Sequence, residues 1–111
     1  MARLALVTGA TGYIGGRLVP RLLDAGFDVR VLVRSPEKLR HIPWALQVAI
    51  RQGDLQDPLA VAAASQDVDV VYYLVHSMGF EKDFATEERR AALNVVTAAR
   101  NAGVRRIVYL S

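Results

Sequence analysis

The stretch Leu4–Gly16, reading LALVTGATGYIGG, constrains this chain more than any other. Four apolar residues, Leu4-Ala5-Leu6-Val7, lead into Thr8 and then into glycines spaced by threes, Gly9, Gly12 and Gly15. From Ile14 to Ala25 apolar side chains recur at helical spacing. In the order strand, glycine turn, helix, each glycine has its own task. One lets the chain turn sharply off the strand, one lets backbone approach a pyrophosphate, and one lets the helix pack close to the strand. The phosphates then meet free N–H groups at the positive end of the helix. A tight turn that binds nothing is the competing reading, but the strand before and the helix after favour a nucleotide.

The rest of the chain alternates strand and helix. The first strand is about Leu4–Thr8, and the first helix runs from about Tyr13 to Ala25 with Ile14, Leu18, Leu22 and Ala25 on one stripe and Gly26 as a left-handed cap. Asp28–Val33 reads as a strand with Val29, Val31 and Val33 on one face. Ser35-Pro36-Glu37 reads as a cap and first helical turn, stopped by Pro43, and Leu46–Arg51 as the third strand. Asp57-Pro58 opens an alanine-rich helix to about Gln66, Val70–Val75 is a strand apolar on both faces, and a long helix runs from about Phe84 to Ala102 with Ala92, Val95 or Val96, and Ala99 on one side and Gly103 as its cap. Arg106–Leu110 is the fifth strand. The alternation implies one α/β domain over residues 1–111, a doubly wound parallel sheet of order 3-2-1-4-5 in three αβα layers. Ligands in such sheets bind beyond the carboxyl ends of the strands, where Gly9–Gly15, Arg34, Asp54 and His76–Gly79 all fall.

Composition narrows the classes. The chain has 111 residues, 52% hydrophobic and 23% charged, with no cysteine, so it is globular and carries no disulfide framework, thiolate metal site or cysteine nucleophile. A reducing cytoplasm is expected. The net charge of +3 lies wholly in residues 1–34, where five arginines face Asp24 and Asp28. That suits a phosphate-rich small ligand. A pI near 9.7 raises nucleic acid as a partner, but no basic stripe is interleaved with aromatics, so none is expected. No uncharged run reaches the ~18 residues of a spanning helix, so no membrane partner is expected either.

With these motifs in view, the sequence resembles the atypical and extended short-chain dehydrogenase/reductase superfamily, in particular its NmrA-like and sugar-nucleotide-epimerase-like NAD(P)-binding proteins. TGATGYIGG matches the superfamily's glycine motif, Gly53-Asp54-Leu55 its adenine-side motif, and AGVRRIVYLS its strand-five region; LVHSMG, then DF and Asn94, resembles a bacterial subgroup. The resemblance implies a Rossmann fold. It also implies a catalytic Tyr-x-x-x-Lys pair after strand five, and no tyrosine here has lysine four residues on. The chain is therefore expected to be the cofactor half of a longer oxidoreductase or epimerase, ending before its catalytic half. A non-catalytic NADP-binding sensor of the NmrA-like type is the alternative.

NAD-binding sites place a carboxylate near the end of strand two, where this chain has Arg34 and Ser35. A carboxylate repels the 2′-phosphate of NADP, whereas a guanidinium holds it by a charge-assisted pair, and Lys38 adds a second charge. NADP is thus expected in preference to NAD. Asp54 is read as accepting from the adenine amino group, with Leu55 against the ring. The expected cofactor site comprises Thr8, Gly9, Thr11, Gly12, Tyr13, Ile14 and Gly15, then Arg34, Ser35 and Lys38, Asp54 and Leu55, and Val75, His76 and Ser77. Catalytic residues are unassigned. With His41 far from His76, no metal site is expected. Tyr72, Tyr73 and Trp44 are read as strand packing, and Asp83, Glu87 and Glu88 as acids favoured by a helix dipole. Strand five, with Ile107, Val108, Tyr109 and Leu110 guarded only by Arg105 and Arg106, reads as an open edge through which the chain self-associates, unless a further segment covers it.

Overall fold

Five parallel strands form one sheet in the order β3-β2-β1-β4-β5. They are β1 Leu4–Thr8, β2 Asp28–Val33, β3 Ala49–Gln52, β4 Val70–Leu74 and β5 Arg106–Leu110. Among the described residues three helices connect them, α1 Tyr13–Asp24, α2 Pro58–Ala64 and α3 Lys82–Ala102, together with two short 3₁₀ helices, Pro36–Leu39 and Pro43–Gln47. The computed structural model describes residues 2–74 and 82–110, the side chains of 82–84 excepted. The expected strand order, parallel pairing and three layers are all present, with winding reversed between β1 and β4.

Side-chain alternation along the strands makes two cores. Ala5 and Val7 of β1 with Val29, Val31 and Val33 of β2 pack on one face against Val19 and Leu22 of α1 and against Leu39 and Trp44 of the 3₁₀ helices. Leu6, Leu32, Val71 and Tyr73 point the other way, against Val61 and Ala64 of α2 and Ala91, Val95 and Ala98 of α3. The central strands β1 and β4 are buried on both faces and are near-continuous apolar runs, as a parallel sheet requires.

Helix ends follow their local signals. Asp57 caps α2, its Oδ1 accepting the Leu59 N–H at 3.0 Å, with Pro58 at the first position. Gly26 and Gly103, with φ of 91° and 74°, follow α1 and α3, and the next residue returns its N–H to a carbonyl five back, Phe27 to Leu22 and Val104 to Ala99.

Four expectations change. The third strand is Ala49–Gln52, not Leu46–Arg51. Pro43, with its fixed φ and missing N–H, opens a 3₁₀ turn instead of merely ending one; Leu46 is left 96% exposed, and Trp44 is buried from that turn, not from a strand. The buried line of α1 is Gly15, Val19 and Leu22, while Ile14 and Ala25 face outward. Close approach of Gly15 to the turn sets that rotation. On α3 the inward positions are Ala91, Val95, Ala98 and Ala99, with Ala92 only partly buried and Val96 exposed. Ser35 precedes the first 3₁₀ helix but makes no side-chain capping bond.

Candidate functional site

The loops after β1, β2 and β3 converge at the carboxyl end of the sheet around a cleft of about 430 Å³. Seven of the expected residues line it: Gly9 and Thr11, Arg34, Ser35 and Lys38, and Asp54 and Leu55. Val75, His76 and Ser77 lie outside the described residues, as do Met78 and Gly79.

The structure divides the glycine tasks. Gly9 leaves β1 with φ 74°, a left-handed conformation that costs a side chain dearly. A Cβ at Gly15 would stand 2.6 Å from the Ala10 Cα and 2.6 Å from the Gly9 carbonyl oxygen, so only glycine lets α1 lie this close to the turn. Gly12 is the residue before α1, extended at φ −85° and ψ 177°, its N–H donating to the Gly9 carbonyl at 3.1 Å. The first intrahelical bond of α1 is Gly16 N–H to Gly12 carbonyl at 2.9 Å, so the N–H groups of Tyr13, Ile14 and Gly15 have no partner within the helix. No acid occupies that first turn. The helix thus presents its positive end uncompensated.

Gly12, Tyr13, Ile14 and Gly15 are not among the residues that line the cleft. Tyr13 is exposed on α1 under the Arg17 guanidinium, which lies 5.1 Å from its ring centroid and donates to its hydroxyl. Thr8 is buried and acts within the sheet: its Oγ1 accepts the Leu74 N–H at 3.3 Å, tying the end of β1 to the end of β4.

At the end of β2, Arg34, Ser35 and Lys38 form a basic, hydroxyl-bearing wall with Leu32 and Val33 behind. The loop Gly53-Asp54-Leu55-Gln56 forms the adjacent wall. Asp54 closes that loop as an Asx turn, its Oδ1 accepting the Gln56 N–H at 2.9 Å.

Sequence reasoning missed the third wall. Glu87, Glu88 and Ala91 of α3 line the cleft beside Tyr73 and Leu74 of β4. Because α3 starts at Lys82, both glutamates fall beyond its first turn. The alternation of β4 shows that Tyr73 faces α3, but nothing local shows that two glutamates meet it there. The Tyr73 ring stacks on Tyr109 with centroids 5.7 Å apart. Burial raises the Tyr73 pKa above the usual tyrosine value, helped by the charge of Glu88 and by Tyr109. The cleft therefore has a basic side at Arg34 and Lys38 and an acidic side at Glu87 and Glu88. Among the described residues no three His, Asp or Glu side chains come together as a metal needs, and no helix is long and apolar enough to cross a membrane.

A glycine turn feeding an uncompensated helix end, beside a basic wall, suits a phosphorylated ligand, and a family model decides which. Residues 9–111 match the model described as NAD(P)H-binding. The chain belongs to the NAD(P)H-binding family. Among curated relatives of this NAD(P)H-binding domain, the (4-alkanoyl-5-oxo-2,5-dihydrofuran-3-yl)methyl phosphate reductase of Streptomyces griseus is 43% identical over 97% of this chain and 34% of that protein. Among solved structures, an NADPH-dependent quinone oxidoreductase of Escherichia coli complexed with NADPH superposes with a TM-score of 0.78 and 29% identity, covering 95% of this chain and 35% of that one. The Citrobacter triphenylmethane reductase complexed with NADP(H) gives 0.74 and 31%, covering 96% and 36%. The chain spans about a third of the length of the curated relatives it matches. It is an NAD(P)-binding Rossmann domain of the reductase and dehydrogenase type.

Proposed function

We propose that this domain holds NADP(H) in preference to NAD(H), as the cofactor-binding part of a short-chain-type oxidoreductase or nucleotide-sugar-epimerase-like enzyme. The observation that carries the preference is the wall at the end of β2, where Arg34, Ser35 and Lys38 line the cleft and no carboxylate stands to bind a ribose diol. The residues present fit the cofactor. Backbone N–H groups of the Gly12–Gly15 turn hold the pyrophosphate, Arg34 and Lys38 take the 2′-phosphate with Ser35 donating, and Asp54 with Leu55 receives the adenine. The cofactor supplies the hydride. The chain's own part is to bind and orient it, proton transfer being assigned to residues beyond the 111 in a protein of the relatives' length. The neighbours solved with NADPH and NADP(H) support this reading.

Calorimetric titration of the domain with NADPH and NADH tests it. Arg34→Ala removes a charge-assisted contact of about 1.5–3 kcal/mol, so NADPH affinity falls roughly ten- to a hundred-fold and NADH affinity hardly changes. Equal affinity for both cofactors, unaltered in the variant, refutes the preference. We further propose a cytoplasmic setting, from the absence of cysteine, and self-association through β5, which is a sheet edge with Ile107 and Tyr109 exposed.

A further inference from the structure

The adenine-side wall, residues 53–57, has no helix or strand of its own, yet it is tied to β2 at its start, closed on itself by an internal turn and bridged to α3. Gly53 N–H donates to the Val33 carbonyl at 2.9 Å, anchoring the loop to β2, and Asp57 N–H donates to the Asp54 carbonyl at 2.9 Å. Two side chains then bridge the loop to α3. Gln56 Nε2 donates to the Glu87 carbonyl at 2.7 Å, and Asn94 Nδ2 donates to the Leu55 carbonyl at 2.8 Å. These bonds join residues 31 and 39 positions apart in the chain. Both acceptors are carbonyls, so the donor atom of each amide is unambiguous.

The Gln56 bond is held at a cost. Among the described residues its Oε1 is buried without a donor. An apolar side chain of the same length fills that space without leaving a buried acceptor unpaired, so packing alone does not account for an amide here. What the amide achieves is a fixed distance between the Leu55–Gln56 backbone and α3, whose Glu87, Glu88 and Ala91 form the opposite side of the same cleft. We propose that Gln56 and Asn94 are positioning residues for the adenosine half of the cofactor, holding the Asp54–Leu55 wall at its working separation from α3 before the ligand arrives. Neither touches the reacting atoms. The ordering of the loop is completed on folding and is not charged against binding. This rests on the cleft being the NAD(P)H site.

The test uses the 111-residue domain with two nearly isosteric, uncharged replacements, Gln56→Met and Asn94→Leu, which add no charge near a phosphorylated ligand. Two probes separate the halves of the site: adenosine 2′,5′-bisphosphate for the adenine side, and inorganic pyrophosphate, titrated by NMR, for the glycine turn. Each variant should bind adenosine 2′,5′-bisphosphate about five-fold more weakly, ~1 kcal/mol, with pyrophosphate binding within two-fold of wild type. Amide hydrogen exchange at Leu55 and Gln56 should quicken in both. Equal losses for the two probes would mark a general structural role and overturn the proposal, as would unchanged affinity for both. Should Asn94→Leu fail to fold, Gln56→Met at its half-buried position decides alone. Wild-type protein that binds neither adenosine 2′,5′-bisphosphate nor NADPH instead refutes the cofactor reading of the cleft, a different result from wild type that binds with variants that do not discriminate.

Discussion

Gly15 and Gly16 are neighbours in α1 with opposite expected responses to one added methyl. At Gly15 an ideal Cβ lies 2.6 Å from the Ala10 Cα, 2.6 Å from the Gly9 oxygen and 3.0 Å from the Ala10 carbonyl carbon. These are backbone atoms that cannot rotate aside, and carbon–carbon contacts are comfortable only at about 3.5–4.0 Å. Helix α1 must therefore retreat from the turn by roughly 1 Å, at the cost of overpacking a tight site, about 1–3 kcal/mol. Alanine's better helix propensity returns up to ~1 kcal/mol of that. Gly15→Ala should thus lose about 1–2 kcal/mol, a fall in Tm of about 4–8 °C for a domain of this size. At Gly16 the added Cβ meets no atom within 4 Å beyond its own stretch of helix among the described residues, so Gly16→Ala should gain about 0.5–1 kcal/mol. Thermal and urea unfolding followed by circular dichroism measure both. NADPH titration of the folded Gly15→Ala protein should show weakened binding, because retreat of α1 carries its free N–H groups away from the turn. A Gly15→Ala protein as stable as Gly16→Ala would refute the close-packing assignment.

Three further outcomes are expected. Gly12→Val should stay within about 1 kcal/mol of wild-type stability, because φ −85° is open to valine, and should lose NADPH binding through the bulk of its side chain at the phosphate approach; a folded variant with wild-type affinity would move the phosphates elsewhere. Tyr73 titrates above the usual tyrosine value when folded and at about 10 when unfolded, so its contribution is intact below about pH 10 and lost as pH rises through the folded value. Alkaline unfolding of Tyr73→Phe should accordingly begin at higher pH than in wild type, as fluorescence against pH will show. Sedimentation of the domain at rising concentration should reveal association that a Tyr109→Lys charge on the β5 edge suppresses; a monodisperse monomer throughout would end the edge proposal.

The sequence by itself determined the elements whose signals are local. Strand β1, the glycine turn and the start of α1 were readable because an apolar run, spaced glycines and helical periodicity follow one another within a few residues. Strands β2 and β5 and the Asp57-Pro58 helix start were readable for the same reason, and alternation with right-handed crossovers then leaves the order 3-2-1-4-5. Arg34, Ser35, Asp54 and Leu55 were legible as cleft-lining because they follow strand ends that converge in such a sheet, and Lys38 because it lies in the short helix after β2. Where two local signals compete, the tertiary structure chose: Leu46, Val48 and Ile50 alternate like a strand, but the edge position of β3 offers one pairing partner, and Pro43 starts a 3₁₀ turn first. Contacts between distant residues were invisible in the sequence, because they depend on strand register and on how far each helix rotates. Register pairs Thr8 with Tyr73, which brings the Thr8 hydroxyl into a buried tie to Leu74, 66 residues away. The rotation of α3 turned Glu87 and Glu88 toward the cleft, and its packing against residues 53–57 brought Gln56 and Asn94 into play. Which glycine performs which task was decided only in the folded chain, where Gly9 takes the left-handed turn and Gly15 the close approach, because the space beside a Cα is set by what the fold places there.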